Sequence, residues 1–248
     1  MINRNKYLQQ LISNRNNGFP KIITGIRRCG KSFLIKEIYK EYLISEGVRE
    51  EEILIIELDD DRNVRYRDPL YLGEFVRNYC KGKNNCVVFL DEIQMVYKII
   101  NPNFTEGKHI LAKKDDQEVI SFVDVILGLS REKNIDLYVS GSNSKMLSSD
   151  IVTEFRDKAV TIQVFPLSFE EFYEYKGGSK TDAIFEYMQY GGMPLAVLKN
   201  EDERKNRFKT KLYRATCKIY RSFFSKNFRR KGNRKTKYLC TYYNYNFN

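Results

Sequence analysis

Gly25-Ile26-Arg27-Arg28-Cys29-Gly30-Lys31-Ser32 satisfies the pattern G-x-x-x-x-G-K-[ST] and directly follows the short strand-like run Lys21 to Thr24. Glycines at that spacing let the backbone curl until its N–H groups converge on phosphate oxygens, and the helix that follows adds its N-terminal dipole. Lys31 then reaches the β- and γ-phosphates of a nucleotide, while the Ser32 hydroxyl ligates Mg²⁺. Nucleotide contacts are expected from Gly25, Ile26, Arg27, Arg28, Cys29, Gly30, Lys31, Ser32 and Phe33. Cys29 reads as a small filler residue of this loop, with oxidation sensitivity as the alternative.

A second pattern supplies carboxylates. Cys86-Val87-Val88-Phe89-Leu90 is an apolar run that ends in Asp91-Glu92. A buried parallel strand would bring Asp91 to the nucleotide crevice, where it holds Mg²⁺ through water. Glu92 leaves the strand in a different direction and suits a base that orients or deprotonates the attacking water. A surface Asp-Glu pair closing an ordinary strand is the alternative. After the run Ile135 to Val139, Ser142 or Asn143 is placed to sense the γ-phosphate, and Arg156 or Lys158 to reach a neighbouring subunit's γ-phosphate. An ordinary Ser-Gly turn and surface ion pairs are the competing readings.

These residues need elements to carry them. Apolar positions Leu34, Ile35, Ile38, Tyr42 and Leu43 recur at helical spacing after Ser32, so the loop lies between strand and helix. Further strands are predicted at Ile53–Leu58 and Val160–Phe165, and further helices at Lys6–Ile12, Pro69–Cys80 and Glu118–Arg131. Strands alternating with helices give an α/β fold with a parallel sheet sandwiched by helices. Asp59-Asp60-Asp61 reads as a solvated acidic loop rather than a cation site. Past Pro166, Ser168-Phe169-Glu170-Glu171 is a capping box, and helical segments follow at Asp182–Tyr190 and from Pro194. The expected organisation is a core at 1–166, the start of a helical lid or second domain at 167–203, and a basic tail at 204–248.

Charge is unevenly placed along the 248 residues. Of 43 basic residues 15 follow Glu203, where no acid occurs, so residues 1–203 hold 28 against 32 acids and are net −4. The basicity belongs to the tail and not to the body. The polar N-terminus and the lack of any apolar run near about 18 residues predict a cytosolic protein without a membrane segment. Five cysteines without a C-x-x-C pair suit reduced thiols, and His109, the only histidine, excludes multi-His metal sites.

As a set, Thr24 to Ser32, Phe89-Leu90-Asp91-Glu92-Ile93-Gln94, Ser140 to Ser149, Pro166 to Phe172 and Tyr190-Gly191-Gly192-Met193-Pro194 resemble a prokaryotic family of AAA-type ATP-binding proteins. The resemblance covers roughly residues 1 to 200. It implies a five-stranded parallel sheet in the order 5-1-4-3-2, ATP with Mg²⁺ as cofactors, and the roles given above to Lys31, Ser32, Asp91 and Glu92. Relatives carry a glycine-arginine pair near Asp157-Lys158 that this chain lacks. They also continue with a mixed-charge helical domain, often ending in a winged-helix-like portion. The departure after Glu203 is expected to reflect a reading-frame shift, with a nucleic-acid-binding arm or a solvated tail as alternatives.

The function expected is Mg²⁺-dependent ATP hydrolysis, with a homo-oligomer or a protein as partner. Three other classes remain: a switch that binds ATP with negligible turnover, a nucleic-acid-stimulated ATPase, and a small-molecule kinase. The last is disfavoured because a water-activating Glu92 would waste ATP.

Overall fold

The computed structural model describes residues 2–113, 115–141, 155 and 158–198. Five runs rich in Ile, Val and Leu form parallel strands: β1 Lys21–Gly25, β2 Ile53–Glu57, β3 Cys86–Asp91, β4 Ile135–Ser140 and β5 Val160–Val164. They lie side by side as β2-β3-β4-β1-β5, which read from the β5 edge is the order 5-1-4-3-2. Every residue of β1 and β3 is buried, as a parallel sheet covered on both faces requires.

Alternation along β3 divides the core. Val88 and Leu90 face Leu72 and Val76 of α3, Pro69–Cys80, together with Val123 and Ile126 of α4, Phe122–Leu129. Val87 and Phe89 face the other way, onto the helix after the phosphate loop and onto Tyr7 and Leu11 of α1, Asn5–Ser13. That loop helix, α2, is one rod of three parts: α-helical at Lys31–Phe33, π-helical at Leu34–Tyr39, and α-helical again at Lys40–Ser45. It buries Leu34, Ile35, Ile38, Tyr39 and Leu43. Among the described residues no helix is long and apolar enough to cross a membrane.

The helix expected at Glu118–Arg131 begins later, at Phe122. Val119–Ile120 instead pairs antiparallel with Ile99–Ile100. The start is fixed by a capping box. Ser121 accepts from the Val123 N–H at 3.2 Å, while the Asp124 carboxylate accepts from the Ser121 N–H at 2.8 Å. Periodicity alone extends through Val119 because a two-residue ribbon leaves no pattern of its own.

Beyond the sheet, α5 Phe169–Lys176, α6 Lys180–Tyr190 and the short α7 Pro194–Val197 enclose a small core of Leu167, Phe172, Ala183, Val197 and Ile2. Ser168 caps α5 and Ser179 caps α6. Gly192 lies so close to the Leu167 carbonyl that a Cβ there would stand 2.1 Å from its oxygen.

Towards the amino ends of β1 and β4 the sheet buries a charged network. The Lys21 ammonium pairs with Asp136, whose other oxygen accepts from the Tyr138 hydroxyl at 2.9 Å, and the Tyr138 and Tyr39 hydroxyls are 2.6 Å apart. Lys21 and Tyr138 have no exposed surface and Asp136 keeps 4%. Burial pushes both phenols up, and the Asp136 charge adds to the effect. Breaking a buried pair from one side strands the other charge. Asp136→Asn is therefore expected to cost about 3 kcal/mol or more in urea unfolding, and Lys21→Met with Asp136→Leu together markedly less than Asp136→Asn alone.

Candidate nucleotide-binding site

β1 ends at Gly25 directly beside Val164 of β5. A Cβ on Gly25 would stand 2.3 Å from the Val164 carbonyl oxygen and 2.8 Å from the Cys29 sulfur, so only glycine lets the chain turn there. The loop then passes through left-handed backbone at Arg28 (φ 70°) and Gly30 (φ 101°) before α2 begins. Ile26, Arg27, Arg28 and Phe33 are exposed, Ser32 is half-buried and Lys31 is buried. The Lys31 ammonium lies inside the loop, donating to the carbonyls of Gly25 at 2.9 Å and Ile26 at 3.3 Å. Thr24 presents a buried hydroxyl that has no hydrogen-bond partner, one residue before the loop.

Cys29 is fully buried with its thiol directed at the Val164 carbonyl, 3.4 Å away. Burial pushes that thiol up, against the pull of Lys31 and Arg4, which fits a filler and not a reactive thiolate.

The carboxylates stand at the carboxyl edge of the same sheet. Asp91 is buried, and one of its oxygens accepts from the Ser140 hydroxyl at the end of β4. The other lies 3.6 Å from the ammonium of Lys36, which also meets Glu57 at 2.9 Å. Burial alone would lower the Lys36 pKa, but the hydrogen bond to Glu57 and the charge of Asp91 outweigh it and hold it above the ordinary lysine value. Glu92 adopts left-handed backbone (φ 54°), a strained state for a non-glycine residue that turns its carboxylate off the strand axis. That carboxylate accepts from the Gln94 amide, and the Glu92 N–H points at the Ser140 hydroxyl at 3.4 Å.

Sequence reasoning missed Lys36, Glu57, Gln94, Ser140 and Arg4. Lys36 follows Ser32 by four residues and so shares its helix face, a signal that was available. Glu57 ends the strand beside β3, opposite Asp91 in register, which only the sheet order reveals. Arg4 carries no pattern at all. Its guanidinium donates to the carbonyls of Cys29 at 3.3 Å and Phe165 at 2.6 Å and pairs with Glu171 of α5 at 3.1 Å. Ser142, Asn143, Arg156 and the tail 204–248 lie outside the described residues. Lys158 is exposed. Asp60 caps the 3₁₀ turn Asp61–Arg67 and pairs with Arg62, as a solvated acidic loop would. His109 pairs with Asp68, the N-cap of α3, at 2.6 Å.

A family model for an AAA domain matches residues 17–173, which contain all five strands, the phosphate loop and Asp91-Glu92. The chain belongs to this family. An AAA domain is an ATPase domain, so nucleotide binding is the general activity of the class. An uncharacterized protein of Haemophilus influenzae is 31% identical over 207 residues, covering 81% of this chain and 46% of its own length. The uncharacterized protein MJ1544 of Methanocaldococcus jannaschii is 23% identical over 201 residues, covering 75% of this chain and 38% of its own. The chain thus spans less than half the length of these two relatives. Among solved structures, AMPPCP-bound DnaA from Aquifex aeolicus is similar at a TM-score of 0.49 and 16% identity, covering 82% of this chain and 63% of that one.

The AAA domain's loop geometry yields a direct test. Gly25→Ala forces either the loop or β5 to move and is expected to destabilise the fold by roughly 2 kcal/mol. Thermal unfolding followed by circular dichroism measures it.

Proposed function

We propose that this chain is a Mg²⁺-dependent ATPase that uses Lys31, Ser32, Asp91 and Glu92. The observation that carries the reading is the 3.6 Å approach of Lys36, on α2, to Asp91 at the end of β3. Lys36 follows Ser32 by four residues on α2, so its approach supports a reading in which phosphate loop and carboxylate serve one crevice. Ser32 and Asp91 offer hard oxygen donors of the kind Mg²⁺ takes, and its remaining ligands would come from phosphate and water. Ser32 and Asp91 would hold the cation, which would supply charge neutralisation at the phosphates.

The loop N–H groups and Lys31 bind the phosphate oxygens, for which Lys31 exchanges the carbonyls of Gly25 and Ile26. Glu92 accepts a proton from, or orients, the water that attacks the γ-phosphorus, giving ADP and inorganic phosphate. Ser140 fixes the orientation of Asp91. Asn143 senses the γ-phosphate, and Arg156 acts on the site of a neighbouring copy, which makes a homo-oligomer the expected partner.

A second reading, an ATP-binding switch with negligible turnover, is favoured by the engagement of Glu92 with Gln94, because a restrained base turns over only after rearrangement. Steady-state ATP hydrolysis separates the two. Glu92→Gln is expected to lower turnover at least about 100-fold with ATP binding retained. Lys31→Ala is expected to lose ATP binding. Negligible wild-type turnover with tight ATP binding would establish the switch. Stimulation by duplex DNA that disappears at high salt would assign the basic tail a nucleic-acid role.

A further inference from the structure

Each oxygen of Asp91 has a neighbour. Oδ1 holds the Ser140 hydroxyl and Oδ2 faces the Lys36 ammonium at 3.6 Å. The same ammonium contacts Glu57 Oε2 at 2.9 Å, and Glu57 stands opposite Asp91 in the register of β2 and β3. The two carboxylates differ in their surroundings. The Asp91 side chain keeps 7% of its surface, whereas that of Glu57 keeps 44%. Lys36 lies within the π-helical part of α2, four residues beyond Ser32, so the two residues share about one face of the rod.

This arrangement bears on how a divalent cation enters. Without Lys36, Asp91 and Glu57 would present two adjacent negative charges, an attractive site for a free divalent ion. With Lys36 in place one charge is cancelled and the buried carboxylate faces an ammonium on the side a cation would approach. A cation arriving alone must displace the ammonium and meets its repulsion at short range in a partly desolvated pocket, where charge interactions are stronger than in water. A cation arriving on a nucleotide brings phosphate charge with it, and the ammonium can move wholly onto the more exposed Glu57.

We propose that Lys36 is a tethered counter-cation that closes Asp91 to free divalent metal, so that metal enters only together with nucleotide, and that Glu57 receives the displaced ammonium. The inference rests on the reading that Ser32 and Asp91 hold the metal. Lys36 is thus a positioning residue that sets the order of binding. It touches neither phosphate nor the attacking water in this account.

The test uses Mn²⁺ alone as the probe, titrated into the nucleotide-free full chain with unbound ion followed by electron paramagnetic resonance. Lys36→Met is expected to bind Mn²⁺ at least roughly tenfold more tightly than wild type, the scale set by removing one nearby positive charge. Lys36→Arg keeps the charge and is expected to bind as weakly as wild type. Adding Asp91→Asn to Lys36→Met is expected to return binding to the wild-type level, which ties the effect to this carboxylate. If Lys36→Met does not fold, Lys36→Gln removes the same charge with a polar side chain. Equal Mn²⁺ uptake by wild type and the charge-deleted variant overturns the inference, as does tight uptake that survives Asp91→Asn. Calorimetric binding of MgATP to wild type tests the underlying reading separately. Its absence would remove the site assignment itself, whereas its presence with unchanged Mn²⁺ uptake in Lys36→Met would remove only the role of Lys36.

Discussion

The turn at Gly25 depends on the absence of a single methyl group. Because β1 and β5 run side by side with Gly25 opposite Val164, the chain leaves the sheet across the Val164 carbonyl at a distance that no side chain permits. Cys29 folds back onto that carbonyl, and Arg4 grips the next carbonyl, Phe165, along with that of Cys29. The shape of the phosphate loop is therefore set as much by the edge strand as by its own residues. Inside the loop the Cys29 N–H meets the Ile26 carbonyl at 3.3 Å, and the contacts of Cys29 and Arg4 add restraint from outside.

The same contacts carry the loop's influence outward. Arg4 pairs with Glu171 of α5, and a Cβ on Gly30 would stand 3.6 Å from Pro194 at the start of α7. The helical segments after the sheet thus rest directly on the phosphate loop. Gly192, two residues before Pro194, passes the Leu167 carbonyl as closely as Gly25 passes that of Val164.

Buried charge is handled in two ways at the two ends of the sheet. Towards the amino ends of the strands, Lys21, Asp136 and Tyr138 pair with one another and are buried, a structural arrangement that would be costly to break from one side. At the carboxyl ends, Lys36 is shared between a buried Asp91 and a half-exposed Glu57. A shared ammonium with a solvated alternative can move. Both ends hold a Lys-Asp pair, and the difference is that Lys36 has a half-exposed glutamate as a second partner.

The sequence by itself determined the loop, the Asp91-Glu92 pair, the five strands and the ends of most helices. Each of these is written locally, in spacing, in apolar runs or in caps such as Ser168 and Glu171. Even so, local periodicity carried α4 too far, since the pairing of Val119 with Ile100 depends on residues some twenty positions away. Only the tertiary structure brought Glu57, Ser140 and Arg4 to the candidate site. Their partners are brought in by the sheet order and by the packing of α1 and α5, and contacts between residues distant in sequence leave no period to read. An isolated Arg near the N-terminus looks like any surface charge until the fold buries it between two carbonyls and a glutamate.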